Sequence, residues 1–152
     1  MPHVVTSAVM FPCDAATVYH ALCNLKDYPL WNSGMLSVST LEPMHQGMVY
    51  RTTSVATGRK IDALIKVTHL EPSREIRLEN STGAVAYEAV FTLTPHGANE
   101  TQVSCQLSFE FRNFVLELAK PVVESIATAR IKGDLETLRA LITAPAADGV
   151  KL

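Results

Sequence analysis

The stretch that decides the fold is RNFVLELAKPVVESIATARIKGDLETLRALIT, from Arg112 to Thr143. Apolar residues recur in it at helical spacing, first at Leu118, Val122, Ile126 and Ala129 and then at Ile131, Leu135, Leu138 and Ile142. This spacing predicts one long amphipathic helix with a buried face. About 30 residues would span roughly 45 Å, so a sheet packed on this helix has to curl around it. Pro121 lacks an amide donor and crowds the preceding turn, which predicts a kink.

The length of the chain indicates how many domains it forms. At 152 residues it is long enough to bury one sizeable core and too short for two. We therefore expect a single domain over residues 1–143. The closing PAADGVKL offers little to bury, so residues 144–152 are expected to form a frayed, flexible tail.

Charge and cysteine content exclude several classes of protein. The formal net charge is -2 with acidic and basic residues interspersed, so no basic stripe could follow a phosphate backbone and we expect no nucleic-acid partner. The three cysteines are an odd number without a CxxC pair, which is typical of reduced thiols in a cytoplasmic protein. No stretch of sequence predicts an integral membrane span, and the N-terminus lacks the positive cluster of a signal peptide.

Two short helices are expected near the N-terminus, after a first strand. Asp14 is a good N-cap for a helix over Ala15–Cys23, which carries Val18 and Leu22 on one face. Pro29 excludes an ordinary helix interior, so a second short helix or turn is expected over residues 27–32, with Trp31 directed inward.

Alternating and β-branched residues predict seven strands, over residues 4–11, 35–41, 47–56, 60–70, 75–79, 84–94 and 101–111. From the second strand onward the connections are short turn sequences such as EPMHQG and PHGANE, so neighbouring strands should pair antiparallel. One alternating face of such a sheet needs a cover. Only the long helix is large enough to provide it.

These residues resemble a known family. The segments MFPCDAATVYHAL, LKDYPLWN, YEAVFTLTPHGANETQVSCQLSFEF and LAKPVVESIATARIKGDLETLRALI, taken in order, are similar to the START-like (SRPBCC) superfamily, with the helix-grip fold of the birch-pollen allergen. Within it the chain is most similar to the polyketide cyclase/dehydrase and lipid-transport group. The resemblance covers residues 4–142 and lies in the order of elements rather than in a catalytic signature.

The resemblance implies an α+β helix-grip fold. A seven-stranded antiparallel sheet would curl around the long C-terminal helix, with two short helices after the first strand and a mainly apolar cavity between sheet and helix. Members of the superfamily bind or transform lipids, sterols, quinones, aromatic polyketides and plant hormones. Some are binding or transfer proteins, and others are cyclases or aromatases.

Aromatic and aliphatic residues are the first candidates for the wall of that cavity. The resemblance places Trp31 at its mouth, and an aromatic plug closing the core is an equal alternative. The other apolar candidates are, on the strands, Tyr87, Phe91, Phe109 and Phe111, and, on the helix, Leu118, Val122 and Ile126. A packed core has the same spacing as a pocket wall, so only the enclosed volume distinguishes the two.

The polar candidates are Tyr50, Arg51 and His69. Tyr50 and Arg51 are adjacent in one strand, so one of them must point inward, and we favour an outward Arg51 because an unpaired inward charge is costly. His69 shares the parity of Ile65 and Val67, which would turn it inward at the end of its strand. The alternative is a solvated histidine.

Several enzyme classes lack their sequence motifs here. There is no GxSxG elbow, P-loop or dinucleotide fingerprint, and the five histidines form no HxxxH or HExxH pair. We therefore expect no cofactor and no metal site, and no residue can be assigned a catalytic role.

The sequence supports three hypotheses about function. The first is a protein that binds a small hydrophobic molecule, such as a lipid, a quinone or an aromatic polyketide, between sheet and helix. The second is a cyclase or aromatase in which Tyr50, Arg51 or His69 polarises a carbonyl or moves a proton. The third is a regulatory protein that binds a partner, and a homodimer is one form considered. The choice between binding protein and enzyme stays open at this point.

Overall fold

The computed structural model describes residues 3–56, 58–80, 85–111 and 120–143. Its strands are β1 (His3–Phe11), β2 (Met35–Val38), β3 (Val49–Ala56), β4 (Arg59–Glu71), β5 (Glu75–Asn80), β6 (Val85–Pro95) and β7 (Thr101–Phe111). Its helices are α1 (Ala15–Cys23), α2 (Tyr28–Trp31) and α3 (Lys120–Thr143), with a 3₁₀ turn over Leu25–Asp27 before α2. The expected flexible tail, residues 144–152, lies outside the described residues, as do Arg112 to Ala119 of the expected long helix.

The strands form one seven-stranded sheet in the order β1-β7-β6-β5-β4-β3-β2, and every neighbouring pair is antiparallel. Consecutive strands from β2 to β7 are neighbours because their connections are short, whereas α1 and α2 separate β1 from β2 and carry the chain to the opposite edge. The predicted fold, with its strand number, antiparallel pairing and closing helix, is confirmed.

Two strands depart from simple alternation. Strand β2 ends at Val38 rather than at residue 41, and its pairing with β3 is irregular between Met35 and Ser37. Strand β4 carries a bulge between Val67 and His69, so that Val67 lies opposite Leu78 but His69 lies opposite Arg77. A bulge inserts one extra residue and reverses the side-chain alternation that follows it.

One end of the space between the sheet and α3 is tightly packed. Side chains from α1, the 3₁₀ turn, the inner sheet face and the last half of α3 meet there with almost no exposed surface; they are Phe11, Val18, Leu22, Leu25, Val67, Ile76, Val103, Leu135 and Leu138. We call this region the packed end. Burial of so many large apolar side chains supplies most of the driving force for folding.

Helix α3 joins both edges of the sheet. At the β1 edge, Ser7 Oγ donates to the carbonyl of Thr128 at 3.0 Å, and Arg139 donates to the carbonyl of Met10 at 3.4 Å. At the other edge, the amide of Ser33 donates to Asp134 Oδ1 at 3.1 Å. The sheet therefore curls far enough for one helix to contact both of its sides. No helix within the described ranges is long and apolar enough to cross a membrane.

Candidate functional site

The candidate site is built on a row of side chains that crosses the inner face of the sheet. Pairing places directly opposed residues on six strands in register, in the order Tyr50, Ile65, Asn80, Tyr87, Phe109 and His3. We call this the cross-sheet row. Tyr87 is partly buried and the other five are buried. The row therefore places two phenols, an amide and an imidazole on a surface that is otherwise mainly apolar.

Beyond this row the inner face becomes accessible. Along β4, the inward side chain of Ile65 is 2% exposed, whereas Ile61, four residues nearer the β3–β4 turn on the same face, is 48% exposed. We call this region, bordered by Ile61 and Ala63, the open end. Apolar side chains that face inward yet stay accessible are a feature of a ligand-binding mouth.

Trp31 lies beside the interior in α2. Its ring packs against Tyr28 with centroids 4.7 Å apart and planes tilted by 58°. The phenol of Tyr28 donates to the carbonyl of Leu22, but Trp31 Nε1 is buried and has no hydrogen-bond partner among the described residues. An orphaned buried donor of this kind is rare in folded proteins. Trp31 is thus directed inward, as expected from the sequence, with an unused donor.

The interior phenols are neutral at physiological pH. Burial raises the pKa of Tyr87 to about 12, and the charge of Arg130 offsets part of that rise. Burial also raises the pKa of Tyr50, with a further contribution from Tyr87, and raises that of Tyr28, with a contribution from Tyr50. Neutral phenols can donate a hydrogen bond to a carbonyl or hydroxyl oxygen. The site therefore offers donors in an apolar setting.

Contacts between α3 and the α2–β2 turn separate the two ends of the interior. Arg130 donates to the carbonyl of Ser33, and its Nε lies 3.9 Å from Asp134 Oδ2, while Asp134 accepts from the amide of Ser33. Gly34 follows with φ +83°, a conformation that disfavours side chains, and hydrogen-bonds through its carbonyl to the amide of Val55. Arg130 therefore bridges the helix to the β2–β3 edge of the sheet.

A second polar group lies under the first half of the described helix. His3 is buried at the β1 end of the cross-sheet row, with its ring centroid 5.5 Å from that of Phe109. Its Nδ1 lies 3.7 Å from Glu124 Oε2 on α3. The sequence prediction began β1 at residue 4 and so omitted His3. Its alternation with the buried Val5 and Ser7 is the signal that identifies it as inward.

Three predicted ligand contacts are not inside. Arg51 is exposed and lies opposite Leu64 on the outer face. His69 lies on the outer face because the β4 bulge reverses its parity, and its Nε2 is 3.7 Å from carboxylate oxygens of both Glu71 and Glu75. Ile126 is exposed because it lies about 180° around the helix from the buried face that carries Leu135. The inward orientation expected for His69 and Ile126 is therefore wrong, and Arg51 takes the outward position favoured for it.

The other predicted contacts divide into two groups. Trp31, Tyr50, Tyr87, Phe91 and Phe109 all face the interior, but Phe91 belongs to the packed end rather than to the open end. Leu118 and the side chains of Phe111 and Val122 lie outside what the structure describes. More polar residues face inward than the sequence indicated, because Asn80 and Thr52 join those already named.

Two depressions are open to the surface. One, of about 360 Å³, is bordered by Glu79, Glu88 and Glu110 of the outer face and by Asn80, Tyr87 and Phe109 of the cross-sheet row. The other, of about 390 Å³, lies between the β4–β5 turn and the end of β6 and includes Glu71 and Glu75. Carboxylates border both, and such groups do not suit contact with an apolar ligand. Within the described ranges no group of three or more His, Cys, Asp or Glu side chains is placed to hold a metal ion.

Comparison with solved structures shows that the fold is shared with START-like proteins. The Zhui aromatase/cyclase from Streptomyces sp. R1128 matches with a TM-score of 0.82 and 19% identity, over 99% of this chain and 100% of that one. A START superfamily protein from Mycobacterium smegmatis matches with a TM-score of 0.66 and 21% identity, over 90% and 99%. Ara h 8.0201 matches with a TM-score of 0.69 and 13% identity, over 95% and 100%. At these identities the likeness concerns the fold alone.

Sequence comparison identifies the family. Comparison with curated proteins gave no match. The family model described as polyketide cyclase/dehydrase and lipid transport matches residues 2–143, which is nearly the whole chain. The resemblance noted in the sequence to the START-like (SRPBCC) superfamily is thereby confirmed. This chain belongs to the polyketide cyclase/dehydrase and lipid transport family.

Proposed function

We propose that the protein binds a small hydrophobic molecule at the open end, between the inner sheet face and α3. The observation that carries the proposal is the cross-sheet row, in which polar side chains interrupt an apolar surface where the packing of the interior ends. A well-packed core would bury such polar groups only at a cost, whereas a binding site uses a few of them to orient its ligand. The family match supports the same class of function.

The chemistry of the row indicates what kind of molecule suits it. Tyr50 and Tyr87 supply neutral donors, and Ile61, Ala63 and Phe109 supply apolar surface nearby. A ligand that fits is largely apolar and carries at least one oxygen acceptor. Quinones, aromatic polyketides and oxygenated lipids have this combination.

A cyclase or aromatase at the same site is the second candidate, because the family includes polyketide cyclases and the Streptomyces structure is titled an aromatase/cyclase. The catalytic set considered first does not assemble, since only Tyr50 of the group Tyr50, Arg51 and His69 faces inward. An enzyme of this chain would instead depend on Tyr50 and Tyr87, which are close enough for one to influence the pKa of the other. As neutral phenols they would polarise a carbonyl or donate a proton.

A pair of neighbouring substitutions tests the location of the site. Ala63 faces inward beside the cross-sheet row, and Leu64 is exposed on the outer face of the same strand. Ala63→Trp should fill the open end and lower the affinity for the neutral fluorescent probe N-phenyl-1-naphthylamine by about tenfold or more. Leu64→Trp adds the same ring outside and should leave the affinity unchanged. Absence of probe binding by the unmodified protein, or equal binding by both variants, would contradict the proposal.

The natural ligand and the enzyme question need a second measurement. Native mass spectrometry of protein purified from its own host would reveal a bound hydrophobic compound as an added mass. That compound would then be incubated with the protein and its Tyr50→Phe and Tyr87→Phe variants. Conversion that the variants slow would support the enzyme, and stable one-to-one retention without conversion would support a binding protein.

A further inference from the structure

The region where α2 approaches α3 contains an unused hydrogen-bond donor. Trp31 is 4% exposed, and its Nε1 has no partner among the described residues. A buried donor without an acceptor destabilises the folded state, so an acceptor brought by a ligand would be bound favourably at this point. The packing of Trp31 on Tyr28 fixes the indole, which means that the donor is held in place before a ligand arrives.

A positive charge is fixed to the same segment. Arg130 reaches the carbonyl of Ser33, two residues after Trp31, and a Cβ added to Gly34 would lie only 2.9 Å from Arg130 Nη2. An arginine carries five N–H donors, and the contacts with Ser33 and Asp134 engage only part of them. The Asp134 carboxylate also accepts from the Ser33 amide, and its 3.9 Å separation from Arg130 Nε leaves that pair loosely made.

Arg130 joins α3 to the segment that leads into β2. Its side chain is 43% exposed and donates to the carbonyl of Ser33. Its effect on the Tyr87 phenol shows that it lies near the cross-sheet row. A ligand at that row would therefore lie within reach of a guanidinium as well as of neutral donors.

We propose that Trp31 and Arg130 form an oxygen-anion subsite, so that the protein binds a hydrophobic acid, meaning an apolar ring system or chain that carries a carboxylate or another oxygen anion. The inference rests on the proposed binding function and names its ligand class. The guanidinium would supply charge-assisted hydrogen bonds to the anion, and the indole N–H would supply one further donor. The apolar part would lie along the open end.

Two probes of similar shape test the preference for an anion. Calorimetric titration with 1-naphthoate and with the neutral 1-acetonaphthone should show that the acid binds about tenfold or more tightly. Arg130→Gln should weaken 1-naphthoate binding by about ten- to a hundredfold and change 1-acetonaphthone binding by less than about threefold. Trp31→Phe, which keeps an aromatic ring and removes the N–H, should weaken both probes by several fold.

Arg139 provides the matched control. It lies on the same helix and also donates to a backbone carbonyl, that of Met10, but at the β1 edge. Arg139→Gln should leave both affinities unchanged. Arg130→Lys keeps the charge and should retain most of the preference for the acid, and thermal melting of each variant shows whether it is folded.

The outcomes separate this inference from the function on which it rests. Equal affinity of the unmodified protein for the two probes, or equal weakening of both by Arg130→Gln, would overturn the anion subsite while leaving a hydrophobic site in place. Loss of the preference in a folded Arg130→Lys variant would overturn it too. Failure of both probes to bind would overturn the subsite together with the proposed function.

Discussion

The packed end and the open end use the same sheet and the same helix in different ways. At the packed end, Leu135 and Leu138 meet Phe11 and Ile76 with almost no exposed surface. At the open end, Ile61 on the inner face of the sheet is exposed, and the cross-sheet row beside it carries polar side chains. The contacts of Arg130 and Asp134 with Ser33 mark the boundary. One end therefore supplies stability, and the other is free to supply recognition.

The difference explains how a chain of this size can combine a firm fold with a binding site. Polar groups at an interior position reduce stability unless something compensates them. Concentrating apolar contacts at one end allows polar ones at the other. The comparison predicts that substitutions at the two ends will change different properties.

The largest effect on stability is expected at the packed end. Leu135→Ala removes a fully buried side chain and should lower the free energy of unfolding by about 2–5 kcal/mol. Leu141→Ala, on an exposed position of the same helix, should change it by less than about 0.5 kcal/mol. Urea unfolding followed by circular dichroism measures both. Similar losses for the two variants would remove the distinction between the packed and exposed faces of α3.

The boundary between the ends is tested by two glycines. Gly34 has φ +83°, and an added Cβ would lie 2.9 Å from Arg130 Nη2 and 3.0 Å from the Val55 carbonyl oxygen. Gly47 has φ +90°, but an added Cβ would meet nothing within 4 Å. Gly47→Ala should cost about 1 kcal/mol from backbone conformation alone, and Gly34→Ala should cost about 2–4 kcal/mol. Equal melting temperatures for the two variants would contradict the close contact.

Alkaline pH tests the phenols of the open end. The pKa of Tyr87 rises from its ordinary value of 10.0 to about 12 in the folded state, so both states are protonated below pH 10 and stability is complete there. Between pH 10 and 12 the unfolded phenol ionises first, and stability falls by up to about 1.4 kcal/mol per pH unit for each such phenol. Tyr87→Phe should make the decline shallower. If melting temperature fell with pH equally in the unmodified protein and in Tyr87→Phe, the Tyr87 phenol would not be buried away from solvent.

The smallest effect is expected at Ile126. Because this side chain is exposed, Ile126→Ser should change the free energy of unfolding by less than about 0.5 kcal/mol. It should also leave the affinity for N-phenyl-1-naphthylamine unaltered. A marked loss of stability or of probe affinity in this variant would show that Ile126 is buried in solution. It would then have the inward position that its helical spacing indicated.

The periodicity of apolar residues predicted the fold because it decides which faces of the strands and of the helix must be buried. Strands with one apolar face and a helix with one apolar stripe have few ways to bury both, and short connections require antiparallel neighbours. The bounds of α1 and β7 agree with the prediction residue for residue. The buried positions of Leu135 and Leu138 follow from the same spacing.

The site was less predictable, for reasons of local geometry. Ile126 belongs to one apolar stripe of the helix and Leu135 to another about 180° away, and spacing alone does not show which of the two is buried. His3 and Asn80 lie at strand ends, where the limits of a strand are the least certain part of a prediction. Arg130 became a candidate only when the structure brought it to Ser33, because their separation in the sequence is 97 positions.

The bulge in β4 has a consequence for how this chain can vary. Thr68 is the extra residue that lets Val67 face the core and still leaves Leu70, three positions later, opposite the buried Ile76. Strict alternation through Thr68, without the bulge, would turn His69 inward and Leu70 outward. A deletion of Thr68 would instead remove the bulge and leave both side chains on their present faces, because His69 would then follow Val67 directly. The hairpin can therefore lose this one residue without exchanging its two faces, and the bulge keeps an ionisable group out of the interior.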